Sequence, residues 1–143
     1  MIRTMTTLAL VSFLLHLLWE SAHITLYASY EGIGGPLPVV LYAALGDVCY
    51  TLGAYAFLAL VKRNLLWLKD WDWTGYASLA ILGAFIGLFV EYKALALYRW
   101  AYTSDMPLVF GVGLSPLLQM MILLPLSVAI TAYIMRDVRS STY

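Results

Sequence analysis

Ionisable and amide side chains stand inside long apolar runs of this sequence, where a bilayer would make them costly. They are His16, Glu20, His23, Asp47, Glu91 and Gln119. An ionisable group at the bilayer centre costs on the order of 3 kcal/mol on insertion scales, and it normally faces a protein interior or a water-filled cavity. A chain that keeps several such groups must satisfy them against one another, against water or against a ligand. These residues are therefore the candidates for chemistry.

Two imidazoles and three carboxylates are donor types that hold metal ions in helical bundles. The sequence thus predicts a centre for Zn, Fe or Mn with the ligands His16, Glu20, His23, Asp47 and Glu91. In this hypothesis the three carboxylates are also the catalytic acid–base groups, and one metal position stays open for water. The HxxxExxH spacing has low specificity, because it is neither the HExxH motif nor the Glu-x-x-His pairing of di-iron bundles.

The alternative is that the same groups neutralise one another and hold the helices together. The expected pairs are His23 with Glu20, Asp47 with His16, and Glu91 with Lys93 or Arg99. Steps of four and then three residues place His16, Glu20 and His23 within about 60° of one another around a helix. Under either interpretation this stripe must face a protein interior or a cavity.

The segment YRWAYTSDMP follows the third apolar run and places Arg99 and Trp100 at headgroup level. A guanidinium pairs with phosphate oxygens, while an indole ring suits the membrane interface. We therefore predict Arg99, Trp100 and Gln119 as substrate contacts, with a phospholipid or polyprenyl-phosphate head group as the ligand. Anchoring the helices in the membrane is the alternative role for the first two.

The elements that must position these residues are helices. Hydrophobic residues make up 63% of the chain and charged residues 11%, a composition far from that of soluble proteins. Four runs, about 6–27, 37–61, 75–97 and 112–135, each meet the roughly 20 residues that cross about 30 Å of hydrocarbon. The predicted fold is an all-α membrane protein, a single domain 1–143 with four transmembrane helices in an up-down bundle.

Basic residues outside the apolar runs predict how the helices are oriented. Six fall on one side, namely Arg3, Lys62, Arg63, Lys69, Arg136 and Arg139. By the positive-inside rule both termini are expected to be cytoplasmic, in a bacterial or archaeal plasma membrane. Counting about 1.5 Å of rise per residue then places the polar groups between the midplane and the outer surface. The sequence predicts a one-sided pocket built chiefly from the first three helices.

Small residues predict where the helices approach closely. Gly83 and Gly87 form a small-xxx-small pair in GAFIG, and Ala43, Gly46 and Gly53 form a similar face on the second run. Such faces usually let two helix backbones come together in a membrane.

Three functions remain open at this stage. The favoured one is a metal-assisted enzyme that acts on a lipid or isoprenoid-like substrate, with membrane lipid as its partner. A cation or proton transporter or channel, working as a homo-oligomer, is the first alternative, although the apolar inner half of the helices speaks against it. The second is a non-catalytic accessory subunit of a larger membrane complex. The net charge is zero and the chain has no run of basic residues, so we expect no nucleic-acid partner.

Overall fold

A computed structural model describes residues 1–30, 35–69 and 72–140 of the chain, without the side chains of Tyr30 and of 137–140. The side chain of Arg139, one of the six basic residues used to predict orientation, therefore lies outside the described residues. The structure is mostly helical (78%) and has four helices long and apolar enough to cross a membrane. They are α1 (Ile2–His23), α2 (Pro36–Val61), α3 (Trp73–Ala96) and α4 (Leu114–Ser140).

The helix limits differ from the predicted spans at their ends. Helix α1 begins four residues earlier than expected and ends at His23, after which Ile24–Leu26 forms a 3-10 turn. Helix α4 continues past position 135 to Ser140. An apolar window marks where hydrocarbon can be crossed, whereas a helix can continue through polar residues beyond it.

Two short strands join the first and third connections between helices, which the sequence analysis did not predict. Strand β1 (Tyr27–Tyr30) pairs antiparallel with β2 (Trp100–Tyr102), with Tyr27 opposite Tyr102. This pairing holds the end of α1 and the start of α2 beside the end of α3 and the start of α4. We call this end of the molecule the hairpin end.

A second hairpin leads into α4. Strand β3 (Leu108–Val109) pairs with β4 (Val112–Gly113), and the two residues between them, Phe110 and Gly111, have φ values of 53° and 80°. Positive φ at both central positions is the geometry of a tight turn that matches the twist of the strands.

Glycines on α3 allow a close contact between two helices. A Cβ atom added at Gly83 would lie 2.3 Å from the carbonyl oxygen of Met120, and one at Gly87 would lie 3.4 Å from the Cα of Leu117. The predicted close approach at GAFIG is confirmed, and its partner is α4. The same prediction is wrong for Gly46 and Gly53 on α2, because a Cβ at either position would meet nothing within 4 Å.

An apolar core fills the end opposite the hairpins. Leu8, Tyr55, Trp67 and Leu124 are among its buried side chains, and the rings of Tyr55 and Trp67 stack at 5.4 Å between centroids. Helix α1 packs against α2 and α4, and α3 packs against α4, while α2 and α3 touch little. The sparse contact between α2 and α3 leaves room for a cleft.

Charged side chains hold the connection between α2 and α3 in place at the end opposite the hairpins. Lys62 forms an ion pair with Asp72, whose carboxylate also caps α3 by accepting from the Thr74 backbone N–H at 3.0 Å. The hydrogen bond from Lys62, followed by those from Thr74, lowers the pKa of Asp72 to about 2. Arg136 of α4 donates to the carbonyl oxygen of Lys69 at 3.3 Å and so joins α4 to this connection.

Candidate functional site

A polar cluster from three helices lies at the centre of the candidate site. Gln119 of α4 donates through Nε2 to Oε1 of Glu20 on α1 at 2.9 Å and to Oδ2 of Asp47 on α2 at 2.8 Å. His16 Nδ1 lies 3.2 Å from the same Asp47 oxygen and 3.0 Å from Gln119 Nε2. We call His16, Glu20, Asp47 and Gln119 the amide cluster.

Hydrogen counting constrains the amide cluster. The Gln119 Nε2 carries two hydrogens but has three neighbours within hydrogen-bond distance. If both hydrogens go to the carboxylates, His16 Nδ1 must donate its own hydrogen to Asp47. If Nδ1 instead accepts from the amide, one carboxylate loses its amide donor. The choice of which His16 ring nitrogen carries a hydrogen is therefore linked to the partners of Gln119.

Two hydroxyls extend the cluster behind His16. Ser12 donates to Thr51 Oγ1 at 3.1 Å, and Thr51 donates to the carbonyl oxygen of Asp47 at 2.9 Å. His16 Nε2 lies 3.4 Å from the same Thr51 oxygen. Ser12, His16 and Thr51 are buried, with at most 1% exposure. These contacts fix the imidazole plane and hold α1 against α2.

His23 forms the second histidine–carboxylate pair. Its Nε2 lies 3.0 Å from Glu20 Oε2, and its Nδ1 lies 2.8 Å from Ser115 Oγ at the start of α4. Trp19 donates to the same Ser115 oxygen at 3.2 Å. The predicted pairs of His23 with Glu20 and of Asp47 with His16 are both confirmed.

Glu91 of α3 is held by the hairpin end rather than by the amide cluster. Trp100 donates through Nε1 to Glu91 Oε2 at 3.2 Å, and the Tyr102 hydroxyl donates to the same oxygen. Burial raises the pKa of the phenols of Tyr27 and Tyr102, and the Glu91 charge raises both further. Both hydroxyls therefore keep their hydrogens at neutral pH. Tyr27 packs against Trp100 and Tyr102, at 6.1 and 5.6 Å between ring centroids.

A cavity of about 920 Å³ connects these groups. Its lining includes the carboxyl groups of Glu20, Asp47 and Glu91 together with Arg99, Trp100 and Gln119. Apolar side chains of α2 and α3 complete the walls, among them Val39, Leu45 and Val90. Three lining residues of α2, Tyr42, Leu45 and Tyr50, are exposed, so the cavity reaches the surface beside α2.

The predicted metal ligands do not converge in a form that fits a metal ion. Among the residues that the structure describes, no group of three or more His, Cys, Asp and Glu side chains could hold one. Each ring nitrogen of His16 and His23 already has a protein neighbour within hydrogen-bond distance, and a ligating imidazole needs one nitrogen free for the metal. Glu91 contacts Trp100 and Tyr102 instead. The metal centre remains a prediction that these side-chain positions do not support.

Sequence reasoning missed several partners within this site. Thr51, Ser115 and Tyr102 each bond to a predicted site residue, and Ser12 bonds to Thr51. One signal was present for Ser12, which lies four residues before His16 and so shares its helix face. The other three lie 35 or more positions from their partners, or follow from the strand pairing, so periodicity along one helix does not reveal them.

The chain matches no protein-family model, no curated protein and no solved structure. The roles of its residues are therefore argued from their own contacts.

Proposed function

We propose that this chain is a membrane-embedded enzyme that binds a lipid or isoprenoid-like molecule in the cavity and transfers protons to and from it through Glu20 and Asp47. One observation carries this proposal. Two carboxyl groups from different helices are joined by a single amide, and both line a large cavity with apolar walls. Convergent polar groups in an otherwise apolar pocket are typical of sites that orient a ligand.

The exposure of the two carboxyl groups supports a chemical role. Side-chain exposure is 17% for Asp47 and 12% for Glu20, whereas His16 behind them is fully buried. A general acid or base must reach the proton that it transfers within about 3 Å. Both carboxyl groups line the cavity, so a ligand bound there can approach them directly, and the imidazoles behind them act as positioning residues. Metal assistance is not part of the proposal, because the imidazole nitrogens are already engaged.

The binding part of the proposal is tested by filling the cavity. Gly46 lines the cavity, and a Cβ at this position meets nothing within 4 Å, so Gly46→Phe places a ring inside it without a backbone clash. Gly53→Phe is the matched control, since Gly53 is exposed, has equal space and does not line the cavity. Native mass spectrometry of the purified protein should show bound lipid in the wild type and in the Gly53 variant only. If both variants retain equal amounts of lipid, the cavity is not the binding site.

The catalytic part is tested with isosteric variants. Membranes containing the wild type, Glu20→Gln or Asp47→Asn are incubated in D2O, and their lipids are compared by mass spectrometry. If the protein transfers protons to carbon, one lipid should gain deuterium in membranes with the wild type. Its deuterium content should be at least tenfold lower with either variant. If no lipid differs between the wild type and both variants, the enzyme assignment should be dropped.

We further propose that the four helices form an up-down bundle in a bacterial or archaeal plasma membrane with both termini cytoplasmic. The support is the excess of basic residues at the ends opposite the hairpins. The cavity would then open towards the outer leaflet. Reporter fusions at each terminus test this orientation, and a signal from the outer side at either terminus would overturn it.

A non-catalytic role in a larger membrane complex is the second candidate, and one observation favours it. The histidine and carboxylate groups satisfy one another, as they would if they only held the helices together. Copurification separates the two candidates, because a subunit should bring a stoichiometric protein partner from native membranes. A stoichiometric partner that is retained by Asp47→Asn would favour the subunit.

A further inference from the structure

The charges and hydrogen-bond donors around the cavity narrow the class of ligand that it can take. Three carboxyl groups line it, and Arg99 is the only basic side chain among the described residues that do so. His16 and His23 lie behind the carboxyl groups and are not part of the lining. An anionic head group placed near Glu20 and Asp47 would therefore face like charges in a medium of low dielectric constant.

The amide and indole donors next to the three carboxyl groups are directed at those carboxyl groups. The two amide hydrogens of Gln119 are taken up by three neighbours within hydrogen-bond distance, Glu20, Asp47 and His16. Trp100 and Tyr102 both donate to Glu91. Arg99 is the charged donor that lines the cavity, and a phosphate beside Glu20 and Asp47 would need further donors. Gln119 and Trp100 could supply them only by leaving carboxylates unsatisfied. The carboxylate oxygens, in contrast, can still accept hydrogen bonds from a ligand.

We infer that the ligand of this cavity is a lipid or isoprenoid with an uncharged, hydrogen-donating polar end, such as an alcohol, and not a phosphate or diphosphate. The inference rests on the proposed function and names the substrate class of the same site. It replaces the phosphate head group that the pairing of Arg99 with Trp100 predicts from sequence. The hydroxyl donates to Asp47 or Glu20, while the hydrocarbon lies along the apolar side chains of α2 and α3.

The test compares three probes with the same hydrocarbon chain: geranylgeraniol, geranylgeranyl phosphate and the parent hydrocarbon without an oxygen. Each is titrated into the full-length protein in phosphatidylcholine nanodiscs, and binding is followed by quenching of tryptophan fluorescence, because Trp100 lines the cavity. Empty nanodiscs and the Gly46→Phe variant correct for partition into the bilayer. We expect the alcohol to bind at least tenfold more tightly than either other probe.

The possible results distinguish failure of the uncharged-ligand inference from failure of the proposed lipid-binding cavity. Tighter or equal binding of the phosphate, sensitive to Gly46→Phe, would overturn the uncharged ligand but leave the lipid pocket in place. Equal binding of hydrocarbon and alcohol would overturn recognition of the polar end. If no probe shows binding that Gly46→Phe removes, the lipid pocket itself fails.

A charge variant gives a second readout. Asp47→Asn removes one negative charge while keeping a side chain of the same shape. The affinity ratio of alcohol to phosphate should fall at least threefold in this variant, whereas Cys49→Ser, which lines the cavity without changing charge, should keep the ratio. An unchanged ratio in Asp47→Asn would show that the carboxylates do not exclude the phosphate.

Discussion

Replacing Gln119 with leucine tests whether the amide holds the cluster together. The amide donates to two carboxyl groups, at 2.9 and 2.8 Å, and its side chain is 2% exposed. Hydrogen bonds to charged groups contribute about 1.5–3 kcal/mol each, and breaking a buried polar network costs about 3–5 kcal/mol. Leucine has a similar volume and removes the amide donor from both Glu20 and Asp47, which keep only their histidine neighbours. We therefore expect the free energy of unfolding to fall by about 3–5 kcal/mol.

The assay is equilibrium unfolding in mixed micelles, with Met121→Leu on the same helix as the control for a conservative change. A double-mutant cycle with Asp47→Asn isolates the contact, and residues in one network usually show coupling of about 0.5–3 kcal/mol. If Gln119→Leu costs less than about 1 kcal/mol, or if the cycle shows no coupling, the amide does not bridge these carboxyl groups. The histidine–carboxylate pairs would then stand as separate contacts.

Three further substitutions test the frame around the site. Gly83→Ala places a methyl against a backbone carbonyl and should cost about 1–3 kcal/mol of unfolding free energy, whereas Gly53→Ala, with open space around it, should not destabilise the protein. Asp72 has its pKa lowered from its usual 3.8 to about 2, so its ion pair stabilises the fold above about pH 4 and loses this effect as the pH falls towards 2. The melting temperature of Asp72→Asn should thus lie below that of the wild type at neutral pH and meet it near pH 2; a constant gap would contradict this. Tyr102→Phe removes a donor to a buried carboxyl group and should cost about 1–3 kcal/mol, while Tyr98→Phe, at 94% exposure, should cost nothing measurable in the same unfolding assay.

The sequence predicts which polar residues share a helix face and which of them lie level on neighbouring helices. The stripe of His16, Glu20 and His23 follows from helical periodicity, and the level of Asp47 follows from counting residues along α2. The structure brings His16 to Asp47 and His23 to Glu20, as the pairing alternative predicts. Polar groups in hydrocarbon have few ways to be satisfied, so few pairings compete.

The sequence does not predict which helices α4 lies against or how the hairpin end closes. Gln119 was expected to contact substrate, whereas the structure places its amide between α1 and α2 as well as along the cavity wall. The contact of Glu91 with Trp100 and Tyr102 depends on the pairing of β1 with β2. Strands of two to four residues carry too little periodicity to be recognised in sequence.

The two small-residue faces explain why the cavity lies where it does. Gly83 and Gly87 let α4 approach the backbone of α3, which fixes α3 away from α2. Gly46 on α2 meets no such partner, and its missing side chain widens the cavity instead. Glycine thus allows close contact between α3 and α4 but leaves open space between α2 and α3. The difference depends on which helix the polar cluster holds next to the glycine. Gln119 and Ser115 of α4 bond to Glu20 and His23 of α1, so α4 packs beside α1. Helix α3 packs against α4 and is therefore held on the side away from α2. The cleft between α2 and α3 then follows from the contacts that satisfy the buried charges.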